Sequence, residues 1–206
     1  MYLPPHFAEI DPAEIAALIE AHPLGCLIAQ TEEGLCANHI PMLRAPGGGL
    51  IGHIARANSL HEEIGPDAEV MVIFKGEDSY ISPNLYPSKP EHHRHVPTWN
   101  YQVAHLYGRI TFQHDAPSKR VVVAQLTKIH EARVNGAARW KMSDAPADYI
   151  AQMLEAIVAF KIEVTRGIAK AKISQNREAR DFAAVKAAMR AQGKAEMADR
   201  MGRLPD

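Results

Sequence analysis

The chain has 206 residues, of which 47% are apolar and 23% charged, and its formal net charge is −1. That length suffices for a packed core without disulfide or metal staples, and the balance is that of an ordinary folded chain rather than a disordered one. A charge so near zero excludes a uniformly basic nucleic-acid coat, and no apolar run approaches the ~20 residues needed to cross a bilayer.

The start, MYLPPHFAEIDP, lacks a basic segment followed by an apolar stretch. With only two cysteines, Cys26 and Cys36, the expectation is a cytoplasmic protein with reduced thiols and no membrane partner. Asp11 is a candidate N-cap, with Pro12 at the first helical position and Glu14 at the capping-box spacing. Ile15, Leu18 and Ile19 form one apolar stripe, which His22-Pro23 ends. Residues 24–31 and 35–43 then flank Glu32-Glu33-Gly34 as a β-hairpin. Beyond the turn Ala45-Pro46-Gly47-Gly48-Gly49, residues 50–55 read as a third strand.

Asn58 can cap a short helix to about Ile64. Residues 69–75 read as a buried strand, 79–82 as another short one, and 101–113 as a long one. Asp115 or Ser118 opens a helix carrying Val122, Val123, Leu126 and Ile129. A second follows Ser143-Asp144, with Tyr149, Ile150, Met153 and Leu154 expected inward. Residues 157–165 and 169–173 read as two strands around Gly167, and a last helix, 180–192, ends at Gly193. Hairpins and short helices, with no regular βαβ alternation, predict a mainly β protein with flanking helices (α+β), an antiparallel barrel rather than a doubly wound sheet.

Charge is unevenly spread. Residues 161–206 hold eleven Lys/Arg against six acids, whereas residues 1–160 hold twelve against eighteen. A basic tail on an acidic body suits an anionic partner such as DNA, and it equally suits a solvated amphipathic helix.

Three segments could carry chemistry. His53 to His61 runs from a strand into a helix, where backbone amides, the Arg56 guanidinium and the Ser59 hydroxyl can hold a phosphate. On the other reading, Asn58 or Ser59 only caps the helix and Arg56 meets a surface carboxylate. Residues 83–100 contain four prolines, Pro83, Pro87, Pro90 and Pro97, and read as a stiffened loop. Its Tyr86, Lys89, Thr98, Trp99 and Asn100 suit a ligand or dimer surface, with Trp99 either stacking on a planar ring or filling a core edge. His92, His93 and His95 lack a carboxylate or cysteine at familiar spacing, so they are expected to face solvent, with no metal site. Ser174-Gln175-Asn176-Arg177 offers amides and a cation to a ligand, or simply a turn and a cap. His39 and His105 fall on strands and are expected in the core. No covalent nucleophile, P-loop or dinucleotide fingerprint occurs, and no catalytic residue is named.

Taken in order, GHIARANSLH, VIFKGEDSYISPNLYPSK, HVPTWNYQVAHLYGRI, LTKIHE, DAPADYIAQMLEAIVAFKIEVT and KISQNREARD resemble the PaiB family over nearly the whole chain. These are FMN-binding negative transcriptional regulators related to the FMN-binding split-barrel flavoproteins. The resemblance implies a split β-barrel of about six strands, assembled as a homodimer with FMN at the subunit interface. On that carry-over Arg56, Asn58 and Ser59 lie at the flavin phosphate, and His53 and Ile54 nearer the ribityl chain or ring. Ser82 and Lys89 come from the neighbouring strand and loop. Thr98, Trp99, Asn100, Gln175, Asn176 and Arg177 line the site from the same or the partner chain.

Residues 1–175 would form the FMN-binding domain, and 176–206 a basic helical segment packed on it or extending from it. Within that segment Lys186, Arg190 and Lys194 are the candidate DNA contacts. Leu60-His61 stands where pyridoxamine-phosphate oxidases place a basic pair, so FMN is expected to be held weakly. Two other functions stay open: a small FMN-dependent oxidoreductase, in which the flavin does the chemistry, and a ligand-binding or interaction module without flavin.

Overall fold

Side chains on a strand alternate between faces, and the alternation here is strict enough to set the architecture. In the computed structural model, which describes residues 1–202, Gly25, Leu27, Ala29 and Thr31 of one strand all face inward. The elements in order are β1 (Ala8–Glu9), α1 (Pro12–Ala21), β2 (Leu24–Thr31), β3 (Gly34–Arg44), β4 (Leu50–Ala55), α2 (Leu60–Glu63) and β5 (Ala68–Ile81). There follow α3 (Lys89–His92), β6 (Thr98–Gln113), α4 (Ala116–Asn135), α5 (Ala147–Glu155), β7 (Ile157–Lys172), α6 (Ala179–Ala191) and α7 (Ala195–Met201). Arg203, counted above among the C-terminal bases, and the rest of the 176–206 segment beyond Gly202 lie outside the described residues.

The sheet has seven strands in the order β1-β7-β4-β3-β2-β5-β6, and β6 pairs back onto β7. Six strands therefore close a ring, and β1 adds a short antiparallel pairing, Ala8 opposite Lys170. This is the α+β split-barrel class expected from the sequence.

The chain divides into two compact units, Met1–Ala21, Lys75–Ala104 and Ile168–Asp206 in the first, His22–Phe74 and His105–Gly167 in the second. The second holds the hairpin β2–β3, registered Leu24 to Pro41 through Thr31 to Gly34, and β4 paired with β7 from Leu50–Ile162 to Ala55–Ile157. Leu27, Met42, Leu50, Phe74, Ile110 and Phe160 fill its interior with essentially no exposure. On its outer side α4 packs Val122 and Leu126 against Leu43, Ile51 and Ala159. Asp115 caps α4, accepting from the Ser118 N–H at 2.9 Å. In the first unit, Ile81, Tyr86 and Ile173 pack with Val185 and Met189 of α6 and Met197 and Met201 of α7.

Several expectations are corrected. The two strands expected at 69–75 and 79–82 are one strand, because within the polar stretch Gly76-Glu77-Asp78 Glu77 makes a tertiary contact and Asp78 a local ion pair instead of a turn. Glu77 accepts the Met197 N–H at 2.9 Å, and Asp78 pairs with Lys75. Residues 157–172 are also continuous through Gly167. That glycine answers to packing rather than to a turn, since a Cβ there would lie 2.9 Å from a Leu106 methyl. Thr98, Trp99 and Asn100 begin β6 instead of ending a loop, and α3 interrupts the proline-rich segment. His39 is exposed. Tyr149 and Met153 are 52% and 40% exposed, so only Ile150 and Leu154 of α5 turn into the core. Gly193, at φ +75°, does end α6, but α7 follows directly.

At Gly108 the neighbouring backbone comes closest. A Cβ there would sit 2.3 Å from the Glu163 carbonyl oxygen and 2.7 Å from an Ile162 methyl. We expect Gly108→Ala to destabilise the protein by about 1–3 kcal/mol, the usual cost of overpacking, in urea denaturation. Gly65→Ala, where no atom lies within 4 Å, should leave the midpoint nearly unchanged.

Candidate functional site

The last bond of the β4–β7 ladder fixes where the chain leaves the barrel of the second unit. The Arg56 N–H donates to the Ala156 carbonyl at 2.8 Å, one step past the final strand pair. The chain then turns tightly. The Asn58 N–H donates to the Ala55 carbonyl at 2.9 Å, and Asn58 Oδ1 accepts from the Leu60 N–H at 3.0 Å. The Asn58 amide nitrogen reaches across to Asn38 Oδ1 at 2.7 Å. His61 Nε2 closes the turn by donating to the Arg56 carbonyl at 3.0 Å. Asn58 is thus largely committed to shaping the turn, as its capping reading predicts.

Arg56 and Ser59 are exposed. The guanidinium lies 3.6 Å from Glu155 with both side chains about two-thirds exposed, a weak and readily exchanged pairing. Ile54 is 4% exposed and belongs to the core.

His53 differs from its neighbours. It is paired in register with Ala159, and its Nδ1 is buried with no hydrogen-bond partner. Burial pushes the imidazole below its ordinary range, so it is neutral at pH 7. The ring stands on the wall of a cavity of about 240 Å³, formed otherwise by Val123, Trp140, Met142, Tyr149, Met153 and other apolar residues. Trp140 and Met142 also line an adjoining cavity of about 260 Å³, whose rim carries Lys128, Arg139 and Lys141. Sequence reasoning missed this wall. Trp140 sits between Arg139 and Lys141, an aromatic flanked by two cations, and that was the available signal.

The other sequence-derived candidates belong to the first unit, where they fall into separate local contacts. Ser82 caps the turn Pro83–Leu85 by accepting the Asn84 N–H at 3.2 Å, and Lys89 Nζ donates to Asn84 Oδ1 at 2.6 Å. Lys172 donates to the Thr98 hydroxyl. Asn100 is fully buried and trades hydrogen bonds with the Ser174 hydroxyl at 2.9 and 3.1 Å, so its amide is occupied within the fold. Trp99 is 53% exposed, edge-on to Tyr80 with centroids 5.9 Å apart, rather than filling a core edge. Gln175 bridges its own loop, accepting from the Ile173 N–H at 2.9 Å and donating to the Ala171 carbonyl at 2.5 Å. Asn176 is exposed, and Arg177 stacks 4.8 Å over the Tyr86 ring.

His95 is not solvent-facing. Its side chain is 8% exposed, and its Nε2 lies 2.7 Å from Ser88 Oγ. The same hydroxyl donates to Asp181 Oδ2 at 2.6 Å, and the Ser88 N–H donates to Oδ1 at 3.1 Å. Burial raises the Asp181 pKa, but the two Ser88 bonds together with the nearby His95 and Arg180 charges outweigh it and hold the carboxyl below the usual aspartate range. Although the residue types are those of a hydrolase triad, the arrangement is not. Ser88 has no exposure, and the aspartate bonds the serine instead of orienting the imidazole. Among the described residues no group of three or more His, Cys, Asp or Glu is placed to hold a metal ion.

Residues 1–166 match the family model described as "Putative FMN-binding domain". The chain is 28% identical over 185 residues to the protease synthase and sporulation protein PAI 2 of Bacillus subtilis, covering 88% of this chain and 86% of that one. It is 30% identical over 212 residues to an uncharacterized protein of Emericella nidulans, covering 85% and 84%. Among solved structures, the FAD and heme binding protein of Mycobacterium smegmatis aligns with a TM-score of 0.62 at 15% identity, over 86% of this chain and 78% of that one. The flavocytochrome Anf3 of Azotobacter vinelandii aligns at 0.60 and 14% identity, over 86% and 75%. At such identities the structural likeness concerns the fold alone.

Because Asp181 is held ionised by Ser88, its contribution to stability is complete above about pH 4 and drains away as the pH falls through its depressed value. Ser88→Ala should cost about 1.5–3 kcal/mol at pH 7 and flatten the acid limb of a stability–pH profile measured by urea denaturation.

Proposed function

The chain belongs to the FMN-binding domain family, and on that premise we propose that it holds FMN at the junction of β4 and α2 and serves as a PaiB-like regulator. The observation that carries the site is the neutral His53 ring, its Nδ1 buried without a partner, on an otherwise apolar wall. An orphaned polar atom beside Trp140 and Tyr149 fits a planar heteroaromatic ring with polar edges. Arg56 and Ser59, exposed three and six residues further on, fit the phosphate. When bound, FMN supplies hydride and single-electron chemistry. The chain's own residues orient the ring, keep water from one of its faces and neutralise its charged end.

Regulation and a homodimeric state rest on the resemblance to the PaiB family and the similarity to the PAI 2 protein. The C-terminal bases support DNA contact only weakly. Lys186 lines a cavity of the first unit, and Arg190 pairs with Asp199 at 3.1 Å.

We expect FMN, titrated by flavin fluorescence, to bind Arg56→Ala about 1.5–3 kcal/mol more weakly than the wild type, the usual worth of a hydrogen bond to a charged group. An unchanged dissociation constant would remove Arg56 from the site. Light scattering should give a dimer, and DNA upstream of the protein's own gene should be retarded in gels in preference to unrelated duplex. Equal retention of both duplexes counts against the regulator reading.

A further inference from the structure

The largest cavity described in the first unit, about 630 Å³, lies among the N-terminal residues, the end of β7, α6 and α7. Most of its wall comes from residues 171–202, which follow the stretch matched by the FMN-binding family model. Its volume is in the range of small-molecule sites.

Three cations face it, Arg177, Lys186 and Arg200, against a single carboxylate, Glu9. Arg200 is already neutralised. It bonds Glu9, and its Nε lies 3.1 Å from Glu14 without hydrogen-bond alignment, a Coulombic contact between side chains 7% and 18% exposed. Arg177 and Lys186 are different, because among the described residues neither pairs with a carboxylate. Arg177 is held in place by the Tyr86 ring, which positions the guanidinium without cancelling its charge. Lys186 Nζ rests beside Gly202, where a Cβ would come within 2.9 Å of it. Both cations are half-buried, so part of their hydration is lost with no anion to replace it. The wall also carries the partly exposed Phe182 and Gln175, with Ala171 and Met201 buried behind it.

We propose that this cavity binds an amphipathic organic anion, its carboxylate or phosphate pairing with Arg177 and Lys186 and its apolar body lying on the partly exposed ring of Phe182. The arginine gives a two-pronged donor and the lysine a point charge, a combination that favours an oxyanion head over a halide.

Calorimetric titration of the full-length protein with octanoate, octyl phosphate, inorganic phosphate and octanol tests it. We expect at least one of the two amphiphilic anions to bind, the tighter of them identifying the head group, with inorganic phosphate and octanol at least tenfold weaker. Lys186→Gln and Arg177→Gln should each weaken that binding at least tenfold. Unaltered FMN affinity in Lys186→Gln shows that the variant is folded. Failure of both anions to bind at millimolar concentration, affinity for octanol equal to that for octanoate, or undiminished binding to both variants overturns the proposal.

Discussion

Where β6 runs beside β7, the Glu163 carbonyl already occupies the space that a side chain at position 108 would need. Two backbones approach this closely only if one residue contributes no Cβ, so closure of the six-strand ring depends on Gly108. Closure leaves no long unpaired edge within the ring, because β6 pairs onto β7, while β4 lies between β7 and β3. The end of β4 is then fixed by its ladder to β7. The segment from His53 to Ser59 departs from one defined point, held by the Arg56 amide on the Ala156 carbonyl. A site built on such a departure inherits the rigidity of the sheet and the exposure of a loop.

The protein treats its buried polar groups in two ways. Asn100 with Ser174, and Ser88 with Asp181, are closed pairs, each satisfied by the other and inaccessible to solutes. His53 Nδ1 is buried without a hydrogen-bond partner, and Arg177 and Lys186, both half-buried, have no carboxylate partner among the described residues. Buried polar atoms left unpaired are costly, so a native chain keeps them chiefly where something else completes them. Both proposed ligand positions follow from that contrast. One belongs to the family's cofactor, and the other lies past the family's matched residues.

Local signals gave much of this architecture. The hairpin turn, the glycine loop before β4 and the Asp115 cap are each decided by neighbouring residues, and they stand where the sequence puts them. Misreadings arose where distant contacts decide. Gly167 looks like a turn, yet it makes room for Leu106, and Glu77 looks like a loop residue, yet it satisfies an amide on α7. Tyr149 and Met153 obey the helical period of α5, but period alone cannot separate a core from the wall of a cavity. In the candidate site, Arg56, Ser59 and His53 were visible as a strand-to-helix junction. Trp140 was not, since its value comes from where α4 and α5 bring it. The clustering of Ser88, His95 and Asp181 was equally invisible, with 93 residues separating the serine from the aspartate.

Arg200 bonds Glu9 across 191 positions of the chain, and β1 pairs with the far end of β7. During synthesis Glu9 leaves the ribosome 191 residues ahead of Arg200 and waits for it. At about 5–20 residues per second the delay is roughly 10–40 s. Through most of it β1, to which Glu9 belongs, also lacks its neighbour, since Ala169 and Lys170 emerge only shortly before Arg200. Glu9 is thus made well before the residue that neutralises it, and a nascent chain halted short of Arg200 would carry that carboxylate unpaired by it.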